Sequence, residues 1–275
     1  MIALIHIKKT AGKTIKHLMR CEYGARHCDV KRWHPDDACL DAAGLRRLRR
    51  IMPQCRSIAG HSVRAHSDLS AEVPNIAFYT FLRAPIARCI SQYQYDVALG
   101  RVPDDSFNEW IQREDVQDLQ VKSLVGSADT EGAIKVAAHD LDFIGLTEAF
   151  EESLAMMPSL IDSPVIRPQR KKVNAANSNQ IREQLLADPD ALARIRAANI
   201  GDLELYDYVE RHIYPRERQR ASRTTLGCRP RHASINGRFI ANAGFRYGVY
   251  KPAVAAWRTG FRWPSKRNRV PAHTP

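Results

Sequence analysis

The sequence predicts an α/β fold, a central and mostly parallel β-sheet with helices on both faces. Three observations carry that expectation. Short apolar runs rich in β-branched and aromatic residues alternate with stretches whose apolar residues recur at helical spacing. The best of the runs, 76–82, is almost wholly apolar, as a strand buried on both faces has to be. At 275 residues the chain is long enough to bury one sizeable core, or one core with an appendage.

Residues 2–7 read as a buried strand, and Ile15, Leu18 and Met19 place a helix over 12–21. Residues 23–40 are polar and rich in Cys, His and Asp, and read as loop. Leu40, Leu45 and Leu48 among arginines predict an amphipathic helix closed by Pro53. A short strand over 57–59 leads into Gly60 and His61. Pro85 follows strand 76–82 and opens a helix, where its missing N–H costs nothing, with Ile86, Cys89, Ile90 and Tyr93 as the apolar face. Helices are expected at 104–114, 116–125 and 130–139, then a strand at 141–146. Thr147 is placed to cap a helix beginning at Glu148. Helices at 178–187 and 189–213 follow, separated by Asp188 and Pro189. Past Pro215 the periodicity fades, and only 252–257 reads as helical. The chain therefore divides into a body, 1–215, and a C-terminal extension, 216–275, read as partly disordered.

The formal charge of +12 is concentrated in that extension. From Arg216 onward there are 14 Lys and Arg against the single acid Glu217, a net +13, which leaves about −1 for residues 1–215. Such asymmetry points to polyanionic partners. Aromatic residues interleave with the arginines, a pattern suited to an anionic membrane face or an acidic polysaccharide. No nucleic-acid-binding module is present to favour RNA or DNA.

Six cysteines, in a reducing compartment, read as free thiols. Cys21, His27, Cys28, His34 and Cys39 cluster, but without a C-x-x-C or H-x-x-x-H pair, so no metal is expected. No apolar run is long enough to cross a bilayer, and Lys8 and Lys9 end the first apolar stretch with no small-residue cleavage site behind them. The expected location is cytoplasmic, peripheral at the membrane at most.

Chemistry concentrates in two segments. The first strand runs into Lys8-Lys9-Thr10-Ala11-Gly12-Lys13-Thr14 and then a helix. A strand–loop–helix of this kind offers backbone N–H groups and the positive helix end to an anion. Gly12-Lys13-Thr14 supplies the end of a nucleotide-triphosphate loop, G-x-x-x-x-G-K-S/T, but Ile7 stands where its first glycine belongs. The second segment is Phe81-Leu82-Arg83-Ala84-Pro85-Ile86-Ala87-Arg88-Cys89-Ile90-Ser91-Gln92-Tyr93, in which Arg83 leaves a central strand and Ser91 lies about two turns into the next helix.

The first segment, with His6 and Ile7, resembles the H-I/V-P-K-T-A/G-G-S/T-S/T loop of carbohydrate sulfotransferases related to heparan sulfate 2-O-sulfotransferase. Lys8 stands in place of the proline and Lys13 in place of a hydroxyl residue. The second segment resembles the same family's R-D/N-P-x-x-R-x-x-S stretch, with Ala84 in place of the acidic residue. Weaker echoes are Ile58-Ala59-Gly60-His61, Asp142-Phe143-Ile144-Gly145-Leu146-Thr147-Glu148, Lys172-Val173-Asn174 and Asp202–Tyr208. The resemblance spans about residues 1–214 and implies a P-loop-like three-layer fold. It also implies transfer of a sulfuryl group from 3′-phosphoadenosine 5′-phosphosulfate (PAPS) to a hydroxyl, with 3′-phosphoadenosine 5′-phosphate (PAP) as product.

By that resemblance Lys9 stabilises the leaving oxygen, and Lys9, Thr10, Ala11, Gly12, Lys13 and Thr14 cradle the 5′-phosphosulfate. Arg83 and Ser91 hold the 3′-phosphate, and His61 is the general base, with His66 or a carboxylate as the other candidates. The implied acceptor is a glycan or glycolipid hydroxyl, and no metal is needed. Two other readings stand beside this one: a P-loop kinase acting on a small molecule with ATP and magnesium, and a non-catalytic basic binding protein on a degenerate nucleotide-binding fold.

Overall fold

A computed structural model describes residues 1–31, 33, 39–157, 166–167, 177–224, 231–232 and 237–260. Its centre is a five-stranded sheet of β1 (Ile2–Ile5), β2 (His27–Asp29), β3 (Ser57–Gly60), β4 (Ala77–Leu82) and β5 (Phe143–Leu146). All neighbours are parallel, in the order β2-β3-β1-β4-β5. Leu4 of β1 lies beside Ala59 of β3 and Tyr79 of β4. Ala3, Leu4 and Ile5 are at most 1% exposed, so the middle strand is apolar because helices cover both its faces.

The helices of the body are α1 (Gly12–Tyr23), α2 (Ala42–Ile51), α3 (Leu69–Glu72), α4 (Pro85–Ala98), α5 (Phe107–Ile111), α6 (Leu119–Val125), α7 (Thr130–His139) and α8 (Phe150–Met156). They are followed by α9 (Asn177–Ala187), α10 (Pro189–Ala197), α11 (Ile200–Tyr208) and α12 (Tyr214–Thr224). α2 starts where Asp41 accepts a hydrogen bond from the Gly44 N–H at 2.7 Å. α4 starts at Pro85, as expected. A smaller apolar cluster joins α4 to α5, α9 and α10 through Tyr93, Trp110 and Ile195.

Strand order decides where a ligand would bind. From β1 the chain crosses to β2 on one side, and from β4 it crosses to β5 on the other. β1 and β4 are adjacent, so their C-terminal ends form the crevice at the topological switch point of the sheet.

Four expectations need correction. Residues 27–29 are not loop but the edge strand β2, paired with β3. Thr147 does not cap a helix. Its hydroxyl donates to the Glu148 carboxylate, and α8 begins only at Phe150, without a side-chain cap. The stretch 189–213 is not one helix. It breaks at Asn199, whose side chain donates to the Ile195 carbonyl and accepts from buried Arg88.

Nor does helical structure end at Pro215. α11 continues through a π-helical turn (Val209–Ile213) into α12, with the Tyr214 N–H reaching back to the Val209 carbonyl. Pro215 lacks an N–H, and the wider turn before it accommodates that loss without ending the helix.

The extension carries more structure than the sequence shows. α13 (Gly237–Phe245), a second π-helical turn (Arg246–Tyr250) and α14 (Lys251–Gly260) form a continuous helical strap. It lies against α1, the 3₁₀ turn Gly24–Arg26 and the end of β2. Asn242 donates to the Gly24 and His27 carbonyls at 2.9 and 2.7 Å. The buried Tyr250 hydroxyl accepts the Lys31 N–H at 3.0 Å. Arg246 reaches Asp29 at 2.9 Å, where Lys16, Arg20 and His27 also converge. Trp257 packs edge-on against Trp33 under the Arg47 guanidinium.

Candidate active site

Residues 6–11 leave the C-terminal end of β1 and turn into α1. Lys9 (φ 68°) and Ala11 (φ 59°) both adopt the left-handed conformation that non-glycine residues avoid. The buried Thr10 hydroxyl fixes the turn by donating to the Ile7 carbonyl at 3.1 Å. Ala11 occupies the N-cap position of α1, so no side chain caps the helix, and an anion would find its positive end available. Gly12 is required for a steric reason. A Cβ there would lie 1.8 Å from Cδ2 of His6.

His6 is buried and stacks on His61, with ring centroids 4.0 Å apart. Burial, then the His61 ring, push the His6 pKa down to about 2, so this imidazole stays neutral. His61 stands at the exposed end of β3, and its Nδ1 lies 2.6 Å from the His6 carbonyl oxygen. A carbonyl only accepts, so Nδ1 carries the proton and Nε2 of the neutral ring keeps its lone pair. Burial and the nearby Lys16, Lys8 and Arg64 lower the His61 pKa, against the opposing bond to His6. The ring is therefore held as a neutral base. The other candidate, His66, points its Nδ1 at the Leu124 carbonyl and belongs with α6.

Three cations gather on one aromatic ring of α4. Lys9 Nζ lies 4.4 Å from the Tyr95 ring centroid, Lys13 Nζ 5.1 Å and the Arg101 guanidinium 5.7 Å. Burial lowers the Lys9 pKa, and Lys13 and Arg83 lower it further, with Asp96 opposing. Burial likewise lowers Arg83, with Glu148 opposing. Among the described residues none of Lys9, Lys13 and Arg83 has a carboxylate within ion-pairing distance. Positive charge held together without a counter-ion favours an anionic ligand.

Arg83 closes the crevice from the β4 side by donating through Nη1 to the Lys9 carbonyl at 3.2 Å. Its own backbone is gripped at both ends by the Gln120 amide, at 2.9 and 3.0 Å. The next N–H, of Ala84, donates to Glu148, which Tyr206 also holds. Asp202 accepts the Gln120 and Val121 N–H groups at the start of α6 and lies 3.6 Å from the buried Arg88. The position of Arg83 thus depends on residues 37 to more than 110 positions away.

Lys9, Thr10, Ala11, Gly12, Lys13 and Thr14 share one loop and helix start, joined to Arg83 by a direct hydrogen bond and to His61 through His6. Ser91 lies on α4, and its hydroxyl has no hydrogen-bond partner among the described residues. Lys172, Val173 and Asn174 lie outside the described residues. Sequence reasoning missed Tyr95, Gln120 and Arg182, the last acting on Arg83 through its charge. Tyr95 was within reach, because it follows Ser91 by one helical turn.

No family model matches this chain, and no curated protein matches it either.

Proposed function

We propose that the protein is a sulfotransferase that moves a sulfuryl group from PAPS to a hydroxyl acceptor, a carbohydrate, on a P-loop-like fold. The observation that supports this reading best is the meeting of the two segments at the switch point of the sheet. The loop after β1 and Arg83 after β4 are bonded there, with the neutral His61 one ring away. Cations without carboxylate partners, an uncapped helix start and an unpartnered Ser91 hydroxyl fit a ligand with two separate anionic ends.

Lys9, Lys13, Thr14 and the first N–H groups of α1 would hold the 5′-phosphosulfate, and Arg83 and Ser91 the 3′-phosphate. When bound, PAPS supplies an activated sulfuryl group on a phosphate leaving group. Lys9 then places positive charge where negative charge grows on the leaving oxygen, the largest contribution that a fixed side chain makes in such transfers. His61 Nε2 accepts the acceptor hydroxyl proton, while the Nδ1 bond to His6 keeps the ring in the required tautomer. Tyr95 would offer its ring to both lysine heads and so offset part of their mutual repulsion.

The test is transfer of labelled sulfate from PAPS to a panel of glycans and glycolipids, beside thermal shifts with PAP and with ATP–magnesium. Stabilisation by PAP together with transfer supports the reading. Stabilisation by ATP–magnesium alone would make the protein a kinase, and binding of PAP without transfer to any acceptor would make it a binding protein. Lys9→Ala is expected to lower turnover by ~10²–10³-fold, and Arg83→Ala mainly to weaken PAP binding.

A further inference from the structure

We infer that the outer face of the C-terminal helical strap docks on an anionic lipid surface. This inference does not depend on the transferase reading. One face of the strap is fixed to the body by Asn242, Arg246 and Tyr250, as described above. A surface helix normally turns its charged residues outward. This one does not. Nine residues from Gly237 to Pro252 are exposed, and only Arg238 among them is charged.

The outward residues include Ile240, 63% exposed, Tyr247, 60%, and Val249, 46%. Ala241, Gly244 and Pro252 continue the same face along successive turns. These three large residues account for half of the large apolar side chains that stand exposed on the described surface. The remaining three, Leu99, Leu186 and Ile200, lie on other elements. Such a concentration of apolar exposure on the outward side of one helical element marks a contact surface rather than random leakage of the core.

Charge selects the occupant. The face belongs to a segment of net +13, set on a body that is nearly neutral. Lys251 lies at the margin with its Nζ 3.9 Å from the Tyr247 ring centroid. The sequence continues directly with Phe261, Arg262, Trp263, Lys266, Arg267 and Arg269. A second copy of the chain would bring two such basic segments together and be repelled. An acidic polysaccharide would satisfy the cations but leave Ile240 and Val249 in water. An anionic bilayer satisfies both, because apolar side chains and aromatic rings enter the headgroup boundary while Lys and Arg meet the phosphates.

Flotation of the full-length protein with vesicles tests the inference. The vesicles are phosphatidylcholine alone, or phosphatidylcholine with roughly one third phosphatidylserine. The wild type is expected to float with the anionic vesicles and not with the neutral ones. The pair Ile240→Ser and Tyr247→Ser leaves net charge unchanged and is expected to weaken that binding about tenfold. A second pair, Val249→Ser with Pro252→Ser, repeats the test with other exposed residues of the strap. Undiminished flotation of both pairs would overturn the inference, since charge alone would then suffice. So would failure of the wild type to float, or retention on heparin that either pair abolishes in a protein that ignores vesicles.

Discussion

His61 and Tyr95 are the residues whose environments make the sharpest statements. A base works only when neutral, and burial with neighbouring cations lowers the His61 pKa from 6.5. The acid limb of the pH–rate profile for sulfate transfer is therefore expected below pH 6.5, with activity full above it. His61→Ala should remove that limb and lower the rate by ~10²–10⁴-fold. A profile unchanged in shape would take His61 out of the mechanism. On the proposed reading Tyr95 would act through its ring, not its hydroxyl, since the cations lie over the ring. Tyr95→Phe should keep near wild-type transfer. Tyr95→Ala leaves Lys9 and Lys13 to repel each other without a shared platform, and kcat should fall about tenfold, consistent with a cation–π contact of ~1 kcal/mol or more. Equal loss in both variants would assign the role to the hydroxyl instead.

At the scale of elements, α6 matters beyond its length because it connects Asp202 to Arg83 through Gln120. Arg88 and Asp202 are both fully buried, and burial raises the Asp202 pKa while Arg88 opposes the rise. Asp202→Ala would strand the Arg88 guanidinium in the core and uncap α6. A loss of ~3–5 kcal/mol is expected in urea unfolding, with weakened PAP binding as the second readout.

The elements also show which information was local. β1 and β4 were legible because both faces are buried and their composition says so. The loop after β1 and the Arg83 segment were legible as motifs, and β5 as an apolar run. β2 was not legible. His27, Cys28 and Asp29 look like loop residues, and they are buried because α1 packs on them and a helix more than 200 positions later bonds to their edge. α13 was hidden for the same reason. Gly237 and Gly244 lower its intrinsic propensity, and contacts with α1 and the Gly24 turn sustain it. Tyr95 and Gln120 were missed because neither stands in a motif, and only the fold brings them to the site.

For the molecule as a whole, the Asp29 cluster joins the strap to the helix that opens the candidate site. Burial would raise the Asp29 pKa, but His27, Arg20 and Lys16 outweigh it and hold the carboxyl well below its ordinary 3.8. The stabilisation from a depressed carboxyl is fully present above 3.8 and is lost as pH falls below it. Asp29→Asn is therefore expected to raise amide exchange across 237–250 at neutral pH, while the wild type keeps its protection down to about pH 4. Exchange in 237–250 unchanged by Asp29→Asn would show that Asn242 and Tyr250 suffice to hold the strap. The π-helical turn at Arg246–Tyr250 gives the strap a reading frame. It holds one residue more than an α-turn allows, and each residue of an α-helix advances the direction of its side chains by about 100°. Removing Gly248 alone would leave a continuous helix, with the same helical signal in circular dichroism. The wider turn already absorbs that residue, so Tyr250, Val254 and Trp257 would keep nearly their present direction toward Lys31 and Trp33. A single-codon deletion of this glycine would thus shorten the turn and leave the strap latched, since the turn it shortens is the one that holds a residue to spare.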